Sequence, residues 1–220
     1  MVNPHMENCV YRMRGWTFIV MIVLAFAPVW VGAQNVAEVW LGKTAALFQN
    51  KGVELRFRLN EEGARTNGRF LMEGEKFCFD TDDMKIWFDG TTLWTLQNDI
   101  SYSELYISNP TDEELQSINP YMLLQTFDEY FLPVDEGDRN VGDEWLHVIS
   151  LVPKTSQQDL SKMVFYLTAS GEPKIVDLVL AENREYRIEI RAFRNGLTFS
   201  QHTFTYREKE YPANEVIDMR

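Results

Sequence analysis

Apolar and polar residues alternate at spacing two through most of the chain beyond residue 52. Val53, Leu55, Phe57 and Leu59 alternate with Glu54, Arg56, Arg58 and Asn60, which predicts a strand with one wet face. Between Gly68 and Pro110 four or five short strands follow in immediate succession. They are carried by Phe70 and Met72, by Phe77 and Phe79, by Met84, Ile86 and Phe88, by Leu93 to Leu96, and by Tyr102 to Ile107. Asp89-Gly90 between two of them is a hairpin signal, because glycine supplies the positive φ of a tight turn. Alternation resumes at Trp145, His147, Ile149 and Leu151, then at Met163, Phe165 and Leu167. After the turn Ser170-Gly171-Glu172-Pro173 it continues through Ile175 to Leu180 and through Tyr186, Ile188 and Ile190. Phe199 and the run Thr203 to Tyr206 close a set of about eleven strands.

Helical spacing occurs in only a few places. Gln34 to Asn50 predicts an opening helix with Val36, Val39, Trp40, Ala46 and Leu47 as its apolar stripe, stopped at Lys51-Gly52. Thr111 with Glu114 three residues on forms a capping box for a short helix, which Asn119-Pro120 breaks. Tyr121, Leu124, Phe127 and Tyr130 continue as a second short helix to Pro133. Residues 135–142, acidic and glycine-containing, read as an exposed loop. The expected fold is mainly β: one strongly curved antiparallel sheet, an incomplete barrel, with an N-terminal helix and short lid helices over its concave face.

Residues 1–33 have the features of a secretory signal. Arg12 and Arg14 flank an apolar run from Trp16 to Val31, and Val31-Gly32-Ala33 offers small residues at a cleavage site near Ala33. A membrane anchor is the weaker reading, since the run is shorter than the roughly 20 residues a span needs and Pro28 interrupts it. Met6 as the start would give a more usual signal length. Residues 34–220 then form one exported domain.

Composition narrows the function. Cys9 leaves with the signal, so Cys78 is the only cysteine of the mature chain, and it reads as a small buried or half-buried strand residue. The net charge of −12 becomes more negative by one when two arginines and one glutamate depart. An acidic chain without a Lys/Arg stripe repels phosphate backbones, so nucleic acid is not an expected partner. Neither His147 nor His202 stands in a nucleophile motif, and no Gly-x-Ser-x-Gly elbow is present. Asp80-Thr81-Asp82-Asp83 lacks the glycine and distant glutamate of a calcium loop and reads as a solvated turn. No enzyme, metal or cofactor is expected.

The order of parts resembles the periplasmic outer-membrane lipoprotein carrier family, in the divergent form of Bacteroidetes-type bacteria. The residues that carry the resemblance are Gly68-Arg69-Phe70-Leu71, and Lys76-Phe77-Cys78-Phe79 in place of a Phe-x-Trp. Asp89-Gly90-Thr91-Thr92-Leu93-Trp94 is similar to the family's hairpin, and Asn119-Pro120-Tyr121-Met122-Leu123-Leu124 stands where the lid helices do. Leu151-Val152-Pro153-Lys154 and the ending from Phe204 to Arg220 complete the match. The resemblance implies a monomeric periplasmic chaperone without catalytic chemistry. It would shield lipoprotein acyl chains and carry them from an inner-membrane releasing transporter toward an outer-membrane acceptor. The alternative is a module of the same half-barrel that senses lipids or lipoproteins without transporting them. Glu73 and Gly74 replace the Arg-Pro that latches the lid in better-known members, which leaves Arg69 or Lys76 as substitutes.

The aromatic residues fit that implication. A sheet of this many strands curls, and short helices cannot cover its concave face as a second sheet would. Surplus apolar wall is how such a sheet makes a lipid pocket. Phe57, Phe70, Phe77, Phe79, Trp87 and Trp94 are the expected cavity wall, with Trp40 from the first helix. Tyr121, Met122 and Leu124 are the expected lid. Strand parity fixes which neighbours point inward together; which face of the Trp87 and Trp94 strands is the inward one stays open.

Overall fold

Alternation at spacing two becomes a single ladder of hydrogen-bonded strands. The structure, a computed structural model, describes residues 35–49, 52–61, 63–98, 102–112, 114–115, 119–155, 160–180 and 184–220. The expected signal segment 1–33 lies outside the described residues. Helix α1 (Val36–Ala46) precedes β1 (Gly52–Glu61), β2 (Ala64–Glu73), β3 (Lys76–Thr81), β4 (Met84–Phe88), β5 (Leu93–Asn98) and β6 (Ser103–Ser108). Helix α2 (Pro120–Tyr130) leads into β7 (Phe131–Val141), β8 (Glu144–Pro153) and β9 (Leu160–Leu167). Strands β10 (Pro173–Leu180), β11 (Glu185–Leu197) and β12 (Glu215–Asp218) complete the chain.

The twelve strands form one open curled sheet in the order β12-β6-β5-β4-β3-β2-β1-β11-β10-β9-β8-β7. Every neighbour is antiparallel except β12, which lies parallel to β6. Strand β1 joins the two halves, pairing with β2 and with the far later β11. The Asp89-Gly90 signal produces the β4–β5 turn, with φ +102° at Gly90 and the Asp89 carboxylate accepting from the Thr91 and Thr92 amides, both at 2.9 Å.

The larger core lies between the helices and the concave face of the sheet. Val53, Leu55 and Phe57 of β1 share it with Phe70, Met72 and Phe77, and with Ile149, Leu151 and Phe165 from the other half. Helix α1 presents Ala37, Leu41, Thr44 and Ala45 to this core, followed by Phe48. The stripe expected from bulk is therefore rotated: Val36 and Val39 are about half exposed, at 51% each. Small residues on the buried face let the helix backbone approach the sheet, and the larger valines stay outside. Asn35 caps the helix, its side-chain oxygen accepting from the Ala37 amide at 3.1 Å.

A second, smaller core covers the opposite, convex face. Leu71, Cys78, Trp87, Leu96 and Leu105 are buried there beneath Phe204. The Trp87 ring meets Tyr206 and Tyr211 edge-on, with centroids 5.5 and 5.0 Å apart. Cys78 is buried as expected, and burial pushes its thiol up to about 11.

Two expectations change. Residues 135–141 are not a loop but most of β7, which pairs with β8 along its whole length, and only Gly142 of the expected loop lies in the turn between them. It is an edge strand, and Pro133, the carboxylates and a bulge between Asp135 and Gly137 (φ +74° at Gly137) are what keep such an edge from pairing further. Conversely, Thr203 to Tyr206 is not a strand. Its aromatic rings fold onto the convex core, closed by the bond from the Tyr206 hydroxyl to the Tyr211 carbonyl at 2.7 Å, and Glu215–Asp218 supplies the last strand instead. His202 accordingly stands exposed in a turn.

Candidate functional site

Between the helices and the concave face is a cavity of about 460 Å³. Its wall is built from both halves of the sheet. Leu55, Phe57 and Leu59 contribute from β1, Phe70 from β2 and Phe79 from β3. The rest comes from Met163 and Phe165 of β9, Pro173, Val176, Leu178 and Leu180 of β10, and Tyr186, Ile188 and Ile190 of β11. Leu123 and Leu124 of α2 and Thr44 and Phe48 at α1 close it from the helix side.

Register explains why these side chains converge. Leu55 lies opposite Phe70, Phe70 opposite Phe79, Leu59 opposite Ile188, and Val176 opposite Phe165. Directly opposed residues point to one face, so a row of apolar residues runs across neighbouring strands. The Phe57 and Phe79 rings stack at 5.6 Å. Thr44 brings a hydroxyl to the wall, but that hydroxyl donates to the Gly171 carbonyl at 2.9 Å. The same bond pins α1 to the β9–β10 turn, where the Lys43 ammonium also donates to the Ala169 carbonyl at 2.9 Å. A wall with so few polar groups offers water little to bond to, and solvates hydrocarbon instead.

The expected site residues divide. Phe57, Phe70, Phe79 and Leu124 line the cavity. Phe77 lies behind the wall, fully buried between Phe70 and Phe88 at ring distances of 5.7 and 5.4 Å. Met122 packs against the core beside the lining residues Leu123 and Leu124. The side chain of Tyr121 lies outside those described. Trp87 and Trp94 do not face the cavity: they oppose each other across β4 and β5 and belong to the convex core. Trp40 does not line it either, because its ring stacks on His147 at 4.3 Å. The His147 Nδ1 in turn bonds the Asp138 carboxylate at 2.7 Å, which ties α1 to the β7–β8 hairpin. Arg69 is no substitute latch, since it sits on the convex face with its Nε donating to Glu54 at 3.0 Å. Lys76 is exposed at the β2–β3 turn.

The β9, β10 and β11 contributions were missed as site residues, although their alternation was legible. Aromatic bulk marks β2–β5, while half of the wall comes from strands late in the chain, where most of its side chains are aliphatic.

The convex face beneath β1 is electrostatically different. Glu54 is buried there at 5% exposure, and its carboxylate is met by Arg56 and Arg69 at 3.0 Å and Arg194 at 3.7 Å. Burial alone would raise its pKa. The Arg56 hydrogen bond and the charges of Arg69 and Arg194 outweigh that and hold it below the ordinary glutamate value.

No protein-family model and no curated protein sequence matches the chain. Solved structures do match in fold. An uncharacterized conserved protein from Thermus thermophilus superposes with a TM-score of 0.57 at 9% identity, over 83% of this chain and 98% of that one. The MucA/MucB complex of Pseudomonas aeruginosa matches at a TM-score of 0.43 and 13% identity, over 79% of this chain and 62% of that one. A LolA superfamily protein from Nitrosomonas europaea matches at 0.40 and 12% identity, over 77% and 97%. The chain thus has the fold of an open, curled antiparallel sheet cupped around helices, shared with the Thermus protein despite almost no sequence in common.

Proposed function

We propose that this protein is a periplasmic carrier that takes up the acyl chains of lipoproteins in its concave cavity and passes them toward the outer membrane. The observation that supports the reading is the cavity itself: about 460 Å³ between sheet and helices, walled by aliphatic and aromatic side chains. That volume lies within the roughly 300–1,000 Å³ of small-ligand sites. Burying a methylene contributes roughly 0.8 kcal/mol, so a chain of about 16 carbons offers on the order of 12 kcal/mol before the costs of ordering it. Recognition of this kind needs no hydrogen-bonding code and no catalytic group. The order of motifs along the sequence supports the same reading.

The test uses purified residues 34–220 with a fluorescent fatty acid and with a triacylated lipoprotein. Binding is expected for the native chain, and Leu178→Glu, which places a carboxylate in the wall, is expected to abolish it while the protein remains folded by circular dichroism. Transfer of bound lipoprotein to acceptor vesicles supports the carrier; retention without transfer supports a sensing module of the same shape. Undiminished binding by Leu178→Glu would remove the cavity from the reading.

A further inference from the structure

We propose that the convex face of β2, β1 and β11 is a docking surface for an extended acidic segment of a partner protein. Arg56 and Arg58 of β1, Arg65 and Arg69 of β2, and Arg187 and Arg194 of β11 all occupy this face, as the register of the three strands requires. Glu54 and Glu189 stand among them, with Glu73 and Glu185 at the strand ends; on the flanking strands Asp177 faces and pairs with Arg187, and Asp80 faces Arg69 but pairs with Lys85. The chain as a whole carries a net charge of −12, so this concentration of guanidinium groups runs against the charge of the molecule.

Part of the arrangement works against the sheet. Arg56 lies directly opposite Arg69, and like charges so placed are destabilising. Glu54 relieves this pair from beneath, but Arg56, Arg69 and Arg194 remain about half exposed, with side-chain exposures of 56, 46 and 62%. Their heads are therefore available to a second carboxylate. Two contacts already show what this face accepts: Arg187 grips Asp177 through two nitrogens, each at 2.7 Å, and Glu54 sits among three arginines. Guanidinium groups favour carboxylates in this paired geometry.

Spacing selects the partner. Arginines two apart on a strand, such as Arg56 and Arg58, stand about 7 Å from one another, and neighbouring strands lie about 4.8 Å apart. An extended polypeptide with an acid at every second residue repeats the same interval. A lipid surface fits less well, because positions between the arginines hold Asn60, Asn67 and Ala192 rather than a large apolar side chain to insert. The face also lies opposite the cavity, so a partner held there leaves the concave side unobstructed.

The test measures binding of a fluorescein-labelled peptide of alternating glutamate and serine to residues 34–220 by anisotropy at low salt. Saturable binding that weakens with salt is expected. The double variant Arg58→Gln/Arg65→Gln removes two guanidinium groups that do not hold Glu54 and is expected to weaken binding about fivefold. Lys154→Gln/Lys174→Gln removes the same charge away from this face and is expected to leave it unchanged. An equal loss in both double variants, or no binding, overturns the proposal. So does binding to phosphatidylglycerol vesicles without binding to the peptide. Concentration-dependent self-association that is lost in Arg58→Gln/Arg65→Gln would assign the face to a second copy and overturn it equally.

Discussion

The ring of Phe57 lies over the backbone of Gly68, its partner across β1 and β2: a Cβ at residue 68 would stand 2.1 Å from the Phe57 Cζ. The absence of a side chain at Gly68 is what allows the ring to lie flat on the sheet as cavity wall rather than stand within the cavity. Gly68→Ala is expected to push the ring inward, costing about 1–3 kcal/mol in urea denaturation. Affinity for a fluorescent fatty acid should fall with it. A variant with native affinity would mean that Phe57 yields in another direction.

The two cores predict separable effects. Trp87→Ala removes the centre of the convex core, where Tyr206 and Tyr211 pack on it, and is expected to cost about 3–5 kcal/mol of stability. Fatty-acid affinity of the folded fraction should stay native, because the residue faces away from the cavity. Phe79→Ala, on the lining, is expected to change affinity as well. Denaturant titration and binding isotherms on both variants check this.

Thr44 supplies a hydroxyl that is spent on the fold. Thr44→Val leaves the Gly171 carbonyl without that donor and is expected to cost about 1–2 kcal/mol, measured by chemical denaturation. Its nearly unchanged volume should leave fatty-acid binding intact, and Thr44→Ser should recover the stability.

Glu54 sets an acid dependence. Its pKa is held below the glutamate value of 4.5, so its contribution to stability is fully present above that pH. It is lost as the pH falls through the lower, folded-state value. Glu54→Gln is expected to be less stable than the native chain at neutral pH, with the difference shrinking below about pH 4. Parallel denaturation curves across that range test the sign; a difference that grows on acidification would refute it.

Much of this architecture is written in the spacing of residues. Ten of the strands coincide with runs of alternation, and the Thr111–Glu114 capping box forms both of its bonds, at 2.7 and 3.3 Å. Strand β7 was hidden because an edge strand is defended by the same charges, proline and glycine that mark loops. The orientation of Trp87 was legible but outweighed by its size. Met84, Ile86 and Phe88 share the inward face, so the residue between the last two must point outward. Helix α1 shows the reverse case, where small residues rather than bulky ones mark the buried side. Which strands would surround a hollow is a matter of curvature, and curvature depends on how the two halves meet at β1, a pairing between residues more than a hundred positions apart.

The first and last members of the sheet, β12 and β7, do not pair with each other. In a closed barrel the girth follows from strand number and stagger. A ribbon with two free margins escapes that arithmetic, so closure does not fix its bore. For the carrier proposed above, such a scaffold would fit guests of unequal thickness without a change of hydrogen-bond register.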